Sequence, residues 1–166
     1  MMNVLVVLLS YHHGNTKKVA DVIARVLDAD VRTPQDVTPE EASRYDLLGM
    51  GSGIYSGRHH QALLELAERL PPVTSKRAFL FSTSSAVMVG DAGSKRFQEY
   101  MGEIHAPLRE KMIYKGYSIS GEFSCPGLNT NSFIRHFGGL NKGRPNVEDL
   151  AHAEDFARMV LTEASR

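Results

Sequence analysis

Asn3-Val4-Leu5-Val6-Val7-Leu8-Leu9-Ser10-Tyr11-His12-His13-Gly14-Asn15-Thr16 changes character at Ser10, and the change has a structural cause. Residues 3–9 form a continuous apolar run rich in Val and Leu, the pattern of a strand buried on both faces of a parallel sheet. From Thr16 onward apolar residues recur at Val19, Val22, Ile23, Val26 and Leu27, a one-sided helical stripe. Residues 10–16 therefore join a strand end to a helix N-terminus and place hydroxyls, an amide and backbone N–H groups there. Unpaired N–H donors and the helix dipole favour an anion at such a junction, so a phosphate can be held without a positive side chain. A Walker loop does not fit, because that motif ends in Gly-Lys-Ser/Thr and here Lys17 follows Thr16.

Working outward, a short second strand is expected near residues 29–32. Thr38-Pro39-Glu40-Glu41 then combines an N-cap, a first-turn proline and a capping-box glutamate, the start of a brief helix. Residues 45–50 read as a third strand, followed by the glycine-rich loop Gly51-Ser52-Gly53-Ile54-Tyr55-Ser56-Gly57 and a helical stripe at Leu63, Leu66, Ala67 and Leu70 that Pro71-Pro72 ends. Residues 77–82 read as a fourth strand that gives way to the polar loop Thr83-Ser84-Ser85. Phe97, Tyr100, Met101 and Ile104 mark a helical face, and Pro107 leaves open one kinked helix or two. Residues 117–123 read as a fifth strand, and Asn146 with Asp149 caps a final helix carrying Leu150, Ala153, Ala157, Val160, Leu161 and Ala164. Strand and helix alternate from end to end. This predicts an α/β fold with a five-stranded parallel sheet and helices on both faces, in one domain over residues 1–166. Ligands of such sheets bind beyond the carboxyl ends of the strands, which selects residues 10–15, 51–60, 82–91 and 124–145.

Composition narrows the functional classes. A chain of 166 residues, 42% hydrophobic, is long enough to bury roughly 70% of its unfolded surface. Nineteen basic and nineteen acidic side chains cancel, which gives no support to nucleic acid or an anionic membrane as partner. The apolar run at residues 4–9 is too short to span a bilayer and lacks a cationic flank. A single cysteine, Cys125, makes no intramolecular disulfide, which fits a reducing compartment and predicts a cytoplasmic protein.

Several chemistries are weak on residue grounds. His12-His13 and His59-His60 fall in loops at the ligand end, but adjacent histidines in extended backbone point apart, so no metal is expected and phosphate or partner contact is the better reading. Cys125 has no assigned base or helix N-terminus beside it and reads as an ordinary thiol. No Gly-x-Ser-x-Gly elbow or carboxylate pair stands out, so no catalytic side chain is assigned. A Rossmann dinucleotide site lacks its fingerprint glycines in the first strand-helix turn.

Ser10-Tyr11-His12-His13-Gly14-Asn15-Thr16 resembles the phosphate-binding loop of flavodoxins, and Asn15-Thr16-Lys17-Lys18-Val19-Ala20 resembles that family's entry into its first helix. The likeness continues in Gly121-Glu122-Phe123-Ser124-Cys125-Pro126-Gly127 and in residues 138–146, which look like a flavodoxin subgroup of undefined role. The resemblance implies FMN as cofactor, with Ser10, His12, His13, Gly14, Asn15 and Thr16 at its phosphate. It implies Gly53, Ile54, Tyr55, Ser56 and Gly57 facing the ring, with Gly53 or Gly57 taking a positive φ and Tyr55 lying against the flavin. Thr83, Ser84 and Ser85 would border the pyrimidine edge. The activity implied is electron transfer or flavin-dependent oxidoreduction, the flavin supplying the chemistry; a non-redox binding or regulatory module on the same fold is the alternative. The chain departs from small flavodoxins in His12-His13, in an insertion around residues 86–104 and in lacking an acidic surface. Arg58, Arg135, Lys142 and Arg144, with His12, His13, His59, His60 and His136, outnumber Asp91 and Glu122 at the ligand end. That local balance predicts an acidic redox protein partner or a small anionic substrate, and the neutral surface permits a homodimer.

Overall fold

The computed structural model describes residues 2–11, 13–85, 94–128, 130 and 141–165. Its first strand is β1 (Val4–Leu9), six apolar residues that are all buried. β2 (Asp30–Arg32) pairs with β1 on one side and β3 (Leu47–Tyr55) on the other, both parallel. β4 is the two-residue strand Arg58–His59, and β5 (Lys76–Ser84) and β6 (Tyr117–Pro126) extend the sheet past β3. The five parallel strands that the sequence predicts stand in the order β2-β1-β3-β5-β6; β4 is a sixth strand, folded back antiparallel on the end of β3.

Period-two alternation divides the core into two. Leu5, Val7, Leu48, Met50, Ala78 and Leu80 point to one face, where they meet Leu63 and Leu66 of α3 (Gln61–Arg69) and Leu108 and Met112 of α4 (Lys95–Tyr114), with Ala42 of α2 (Pro39–Ala42) beside them. Val4, Val6, Leu8, Leu47, Phe79 and Phe81 point to the other. There they meet Val19 and Ile23 of α1 (Asn15–Leu27) and Ala153, Phe156 and Val160 of α5 (Val147–Ala164). Each large side chain so buried contributes roughly 1.5–3 kcal/mol, so this patterning specifies which face every strand presents. Among the described residues no helix is long and apolar enough to cross a membrane.

The glycine-rich stretch is mostly strand rather than loop. β3 runs to Tyr55, and its Gly49 and Gly51 lie opposite Phe79 and Phe81 of β5. A Cβ on either glycine would come within 2.2 Å of the neighbouring aromatic ring. The missing side chains are thus the space the two Phe rings occupy, and the positive-φ turn falls later, at Ser56 (φ 51) and Gly57 (φ 75). Gly53 keeps an ordinary φ. Gly51→Ala is expected to lower stability by about 1–3 kcal/mol through overpacking; a urea midpoint equal to that of the parent would show that Phe81 has room to move.

Other boundaries shift for similar reasons. β5 and β6 continue past their expected ends: the ladder runs on through Thr83–Cys125 and Ser84–Pro126, and the Thr83 and Ser84 hydroxyls find partners in Thr16 of α1 and Tyr100 of α4. α4 is a single helix through Pro107, held by the buried residues Ile104 and Leu108 on either side of it. α5 starts on the expected Asn146–Asp149 capping box. Thr38 caps α2, but the Glu41 carboxylate pairs with Arg32 at 3.0 Å.

Candidate functional site

The carboxyl ends of β1, β3, β5 and β6 border a cleft at the point where the strand order reverses, between β1 and β3. Ser10, His13, Asn15, Thr16, Gly53, Ile54, Tyr55, Thr83, Ser84 and Ser85 line it. Gly14, Ser56 and Gly57 do not, and His12 lies outside the described residues. Tyr11, Gly127, Leu128 and Thr130 also line it, although the sequence reading left them out. The only signals for them were Tyr11's place inside the 10–16 loop and the position of residues 124–145 at the ligand end.

α1 enters the cleft without a side-chain cap from its N-cap position. Its N-cap residue, Gly14, is left-handed (φ 64) and no side chain bonds to the first turn from that position. Ser10 Oγ accepts from Lys17 N–H at 3.3 Å. Thr16, 2% exposed, shares a 2.8 Å hydroxyl–hydroxyl bond with Thr83 Oγ1, which ties α1 to the end of β5. One proton serves that bond, so the second hydroxyl proton of the pair remains for another acceptor. Asn15, 7% exposed, donates from Nδ2 to Leu128 O at 2.8 Å, while its buried Oδ1 has no hydrogen-bond partner among the described residues.

The β3–β4 hairpin forms another wall. Tyr55 folds back over Gly53, its hydroxyl 3.2 Å from where a Cβ would stand. The His60 ring lies between Tyr55 and Tyr11, with both centroids 5.4 Å away. Burial raises the Tyr55 pKa and the nearby Tyr11 adds to it, so Tyr55 faces the cleft as a neutral phenol at ordinary pH. Ser84 Oγ is 2.5 Å from Tyr100 OH.

Directly beneath the cleft lies a buried polar network. Ser52, Ser82 and Ser124 stand in mutual register across β3, β5 and β6, at the level where the apolar strands end. Ser82 Oγ bonds Ser124 Oγ at 2.9 Å and His105 Nε2 at 2.8 Å. His105 Nδ1 meets Glu122 Oε2 at 3.0 Å, and Arg109 Nη1 donates to both oxygens of Glu122 at 2.8 and 3.0 Å. Burial works to raise the Glu122 pKa, but hydrogen bonds from His105 and Arg109 outweigh it and hold the carboxyl below its ordinary value. The Ser82–His105–Glu122 order matches a nucleophilic triad in connectivity, yet Ser82 and His105 are both 0% exposed, so no substrate reaches them.

His59 completes the network. Its Nδ1 is 3.2 Å from Ser52 Oγ, which also accepts from His60 N–H at 3.0 Å and donates to Gly53 O at 2.7 Å. With the Ser52 proton so committed, His59 is the Nδ1–H tautomer and its buried Nε2 lone pair has no partner among the described residues. The ring packs on His105 with centroids 4.8 Å apart. Burial and then His105 push the His59 pKa well below its ordinary value, so this residue adds no charge to the rim. Adjacent His60 turns the other way and accepts from Ala62 N–H to cap α3. Among the described residues no three His, Cys, Asp or Glu side chains converge as metal ligands.

Two further expectations change. Cys125 lies within β6 rather than after it, 2% exposed, and burial pushes its thiol well up. Of the rim charges, Arg144 is bonded to Asp149 and Glu122 is turned inward onto Arg109, while Arg58 and Lys142 remain exposed. Asp91, Arg135 and His136 lie outside the described residues.

This architecture is shared with known proteins. The Bacillus cereus oxidised flavodoxin 2 superposes with a TM-score of 0.68 at 15% identity, over 97% of this chain and 99% of that one. The Fusobacterium nucleatum flavodoxin bound to flavin mononucleotide gives 0.67 at 15% identity, covering 98% and 99%. An uncharacterized protein of Methanocaldococcus jannaschii is 39% identical over 160 residues, 96% of this chain and 99% of its relative. A flavodoxin domain model matches residues 6–117. With that match across β1 to the start of β6, and with the sheet order and cleft described above, the chain belongs to the flavodoxin family.

Proposed function

We propose that the cleft binds FMN and that the protein transfers electrons through it. The observation that carries this reading lies at the first turn of α1: an N-cap glycine with no side chain to cap the helix, and the buried Asn15 Oδ1, which has no hydrogen-bond partner among the described residues. The first-turn N–H groups and helix dipole suit a phosphate dianion. Asn15 Oδ1 is an acceptor and repels an anion, so its complement is a ligand hydroxyl next to the phosphate. A phosphorylated polyol chain satisfies both, and FMN carries one between its phosphate and its ring. Tyr11 and Tyr55 offer aromatic surface for a planar ring, and Gly53 and Ser85 offer backbone close to its edge. When bound, the flavin supplies one- and two-electron redox chemistry, while the protein supplies position and electrostatics.

The same reading makes the protein a cytoplasmic oxidoreductase or electron carrier. Exposed Arg58 and Lys142 favour an acidic redox partner or a small anionic substrate, a weaker bias than the sequence implied because Arg144 and His59 do not contribute. Titration of the apoprotein is expected to give a flavin absorption spectrum and micromolar or tighter affinity, about 8 kcal/mol or more. Thr16→Ala is expected to weaken FMN by roughly 1–3 kcal/mol, because it leaves Thr83 Oγ1 unpaired and removes a donor beside the phosphate. Equal affinity in the variant would remove Thr16 from the site.

A further inference from the structure

Gly127 and Leu128 leave no main-chain polar group unpaired. Gly127 N–H donates to Ser84 O at 2.9 Å, at the end of β5, and Gly127 O accepts from Asn141 Nδ2 at 3.2 Å. Leu128 N–H donates to Arg144 O at 3.1 Å, and Leu128 O accepts from Asn15 Nδ2 at 2.8 Å. Arg144 is anchored in turn on both oxygens of Asp149, which is 4% exposed in the first turn of α5. The segment is therefore fixed to β5, to α5 and to the start of α1. A second tie joins the same loops, His13 Nε2 to Thr130 Oγ1 at 2.7 Å.

The contact with Asn15 leaves no slack. A Cβ at Gly127 would stand 2.9 Å from Asn15 Nδ2, 3.2 Å from Thr83 Cβ and 3.3 Å from Asn15 Cβ. Asn15 is the first residue of α1, so its side chain and the first-turn N–H groups move as one body. Its amide has one role on each side: Nδ2 is committed to the segment, and Oδ1 is left open as an acceptor.

We propose that Gly127–Leu128 is a fixed wall of the cleft that clamps Asn15, and so gives the site its preference for a phosphorylated flavin over an unphosphorylated one. Clamping orients the uncapped N–H groups of α1 before a ligand arrives, so the phosphate meets donors already in place rather than having to order them. The ring-facing hairpin is held separately, through Ser52, and does not depend on this wall. Loosening the wall therefore removes affinity for the phosphate and spares affinity for the ring.

The proposal rests on the FMN reading, and the following experiment separates the two. FMN and riboflavin are titrated into the parent protein, Gly127→Ala and Asn141→Ala. Gly127→Ala is expected to bind FMN about tenfold more weakly while riboflavin affinity changes by less than about twofold. Asn141→Ala, which removes a donor to Gly127 O away from the ligand, is expected to change FMN affinity in the same direction by a smaller factor and keeps the test open if Gly127→Ala fails to fold. Equal losses for both flavins, or no loss for either, would overturn the role of the wall. A parent protein that binds neither flavin overturns the FMN reading instead. In that case inorganic phosphate becomes the probe: a shift of the Thr16 amide resonance in the parent that is reduced in the variants supports the clamp, and an equal shift in all three refutes it.

Discussion

Glu122→Ala is expected to lower folding stability by about 3 kcal/mol, the largest effect of any single side chain in the network beneath the cleft. Breaking a buried ion pair by removing one partner costs roughly 3–5 kcal/mol, because the remaining charge keeps its burial and loses its counter-ion. The lower end applies here, since the Arg109 side chain is 28% exposed and water can take over part of its solvation. His105 fares worse, being 0% exposed with Nδ1 directed at the missing carboxylate. For a chain of 166 residues the loss corresponds to a melting temperature about 6–12 °C lower. Glu122→Gln keeps one carbonyl acceptor for Arg109 or His105 and is expected to recover part of the loss. Denaturation in urea, followed by circular dichroism, measures both; a loss below about 1 kcal/mol for the alanine variant would mean that the carboxylate acts as an ordinary surface pair.

The second large effect is acid sensitivity from His59. In the unfolded chain its imidazole takes up a proton near pH 6.5, whereas in the fold burial and the neighbouring His105 keep it neutral to a much lower pH. Below about pH 6.5 the unfolded state thus binds a proton that the native state refuses. Stability then falls by up to about 1.4 kcal/mol per pH unit until the native pKa is reached. Glu122 acts in the same direction in a lower window: its stabilising contribution is present above the unfolded carboxyl value and is lost as pH falls through its depressed native value. The groups that touch His59 are Ser52 from β3 and His105 from α4, and His105 in turn is bonded to Glu122 of β6. His59→Asn retains a side-chain donor for Ser52 Oγ and does not titrate. It is expected to flatten the stability profile between about pH 6.5 and 5. An unchanged slope in that variant would assign the acid loss to other groups.

The parts of the fold legible in the sequence are those whose reasons are local. β1 announces itself because it is buried on both faces, and α1 because one stripe of it is. The capping box of α5 is likewise written within four consecutive residues. Gly51 reads as loop for the opposite reason, although Gly49 already falls in the expected third strand. Their explanation is the pair of Phe rings on the neighbouring strand, and nothing near either glycine in the chain distinguishes a place cleared for a ring from a turn. The expected strands stop early, at Met50, Ser82 and Phe123, because the polar residues that follow look like loop until their partners elsewhere in the fold are known. Site and network divide in the same way. The strand-end rule located the loops that line the cleft, but it carried no information on His59, whose environment is set by a helix contributed much later in the chain. Tyr11 went unassigned because its neighbours in the loop supplied the polar groups that an anion needs.

The row formed by Ser52, Ser82 and Ser124 draws a waterline across the sheet. On the submerged side, alternating apolar residues specify the fold and do not discriminate between ligands. On the other side, the residues that line the cleft are mostly polar or aromatic, Asn15, Thr16, Tyr55, Thr83 and Ser84 among them. Because the three serines belong to the same rung, the division is a level cut rather than a ragged one. Loops from another protein of this architecture could be grafted above that rung without disturbing either apolar core, and the grafted surface would carry its own ligand with it. In this molecule a change of specificity and a change of stability are therefore edits to different storeys of the same building, with the serine row as the floor between them.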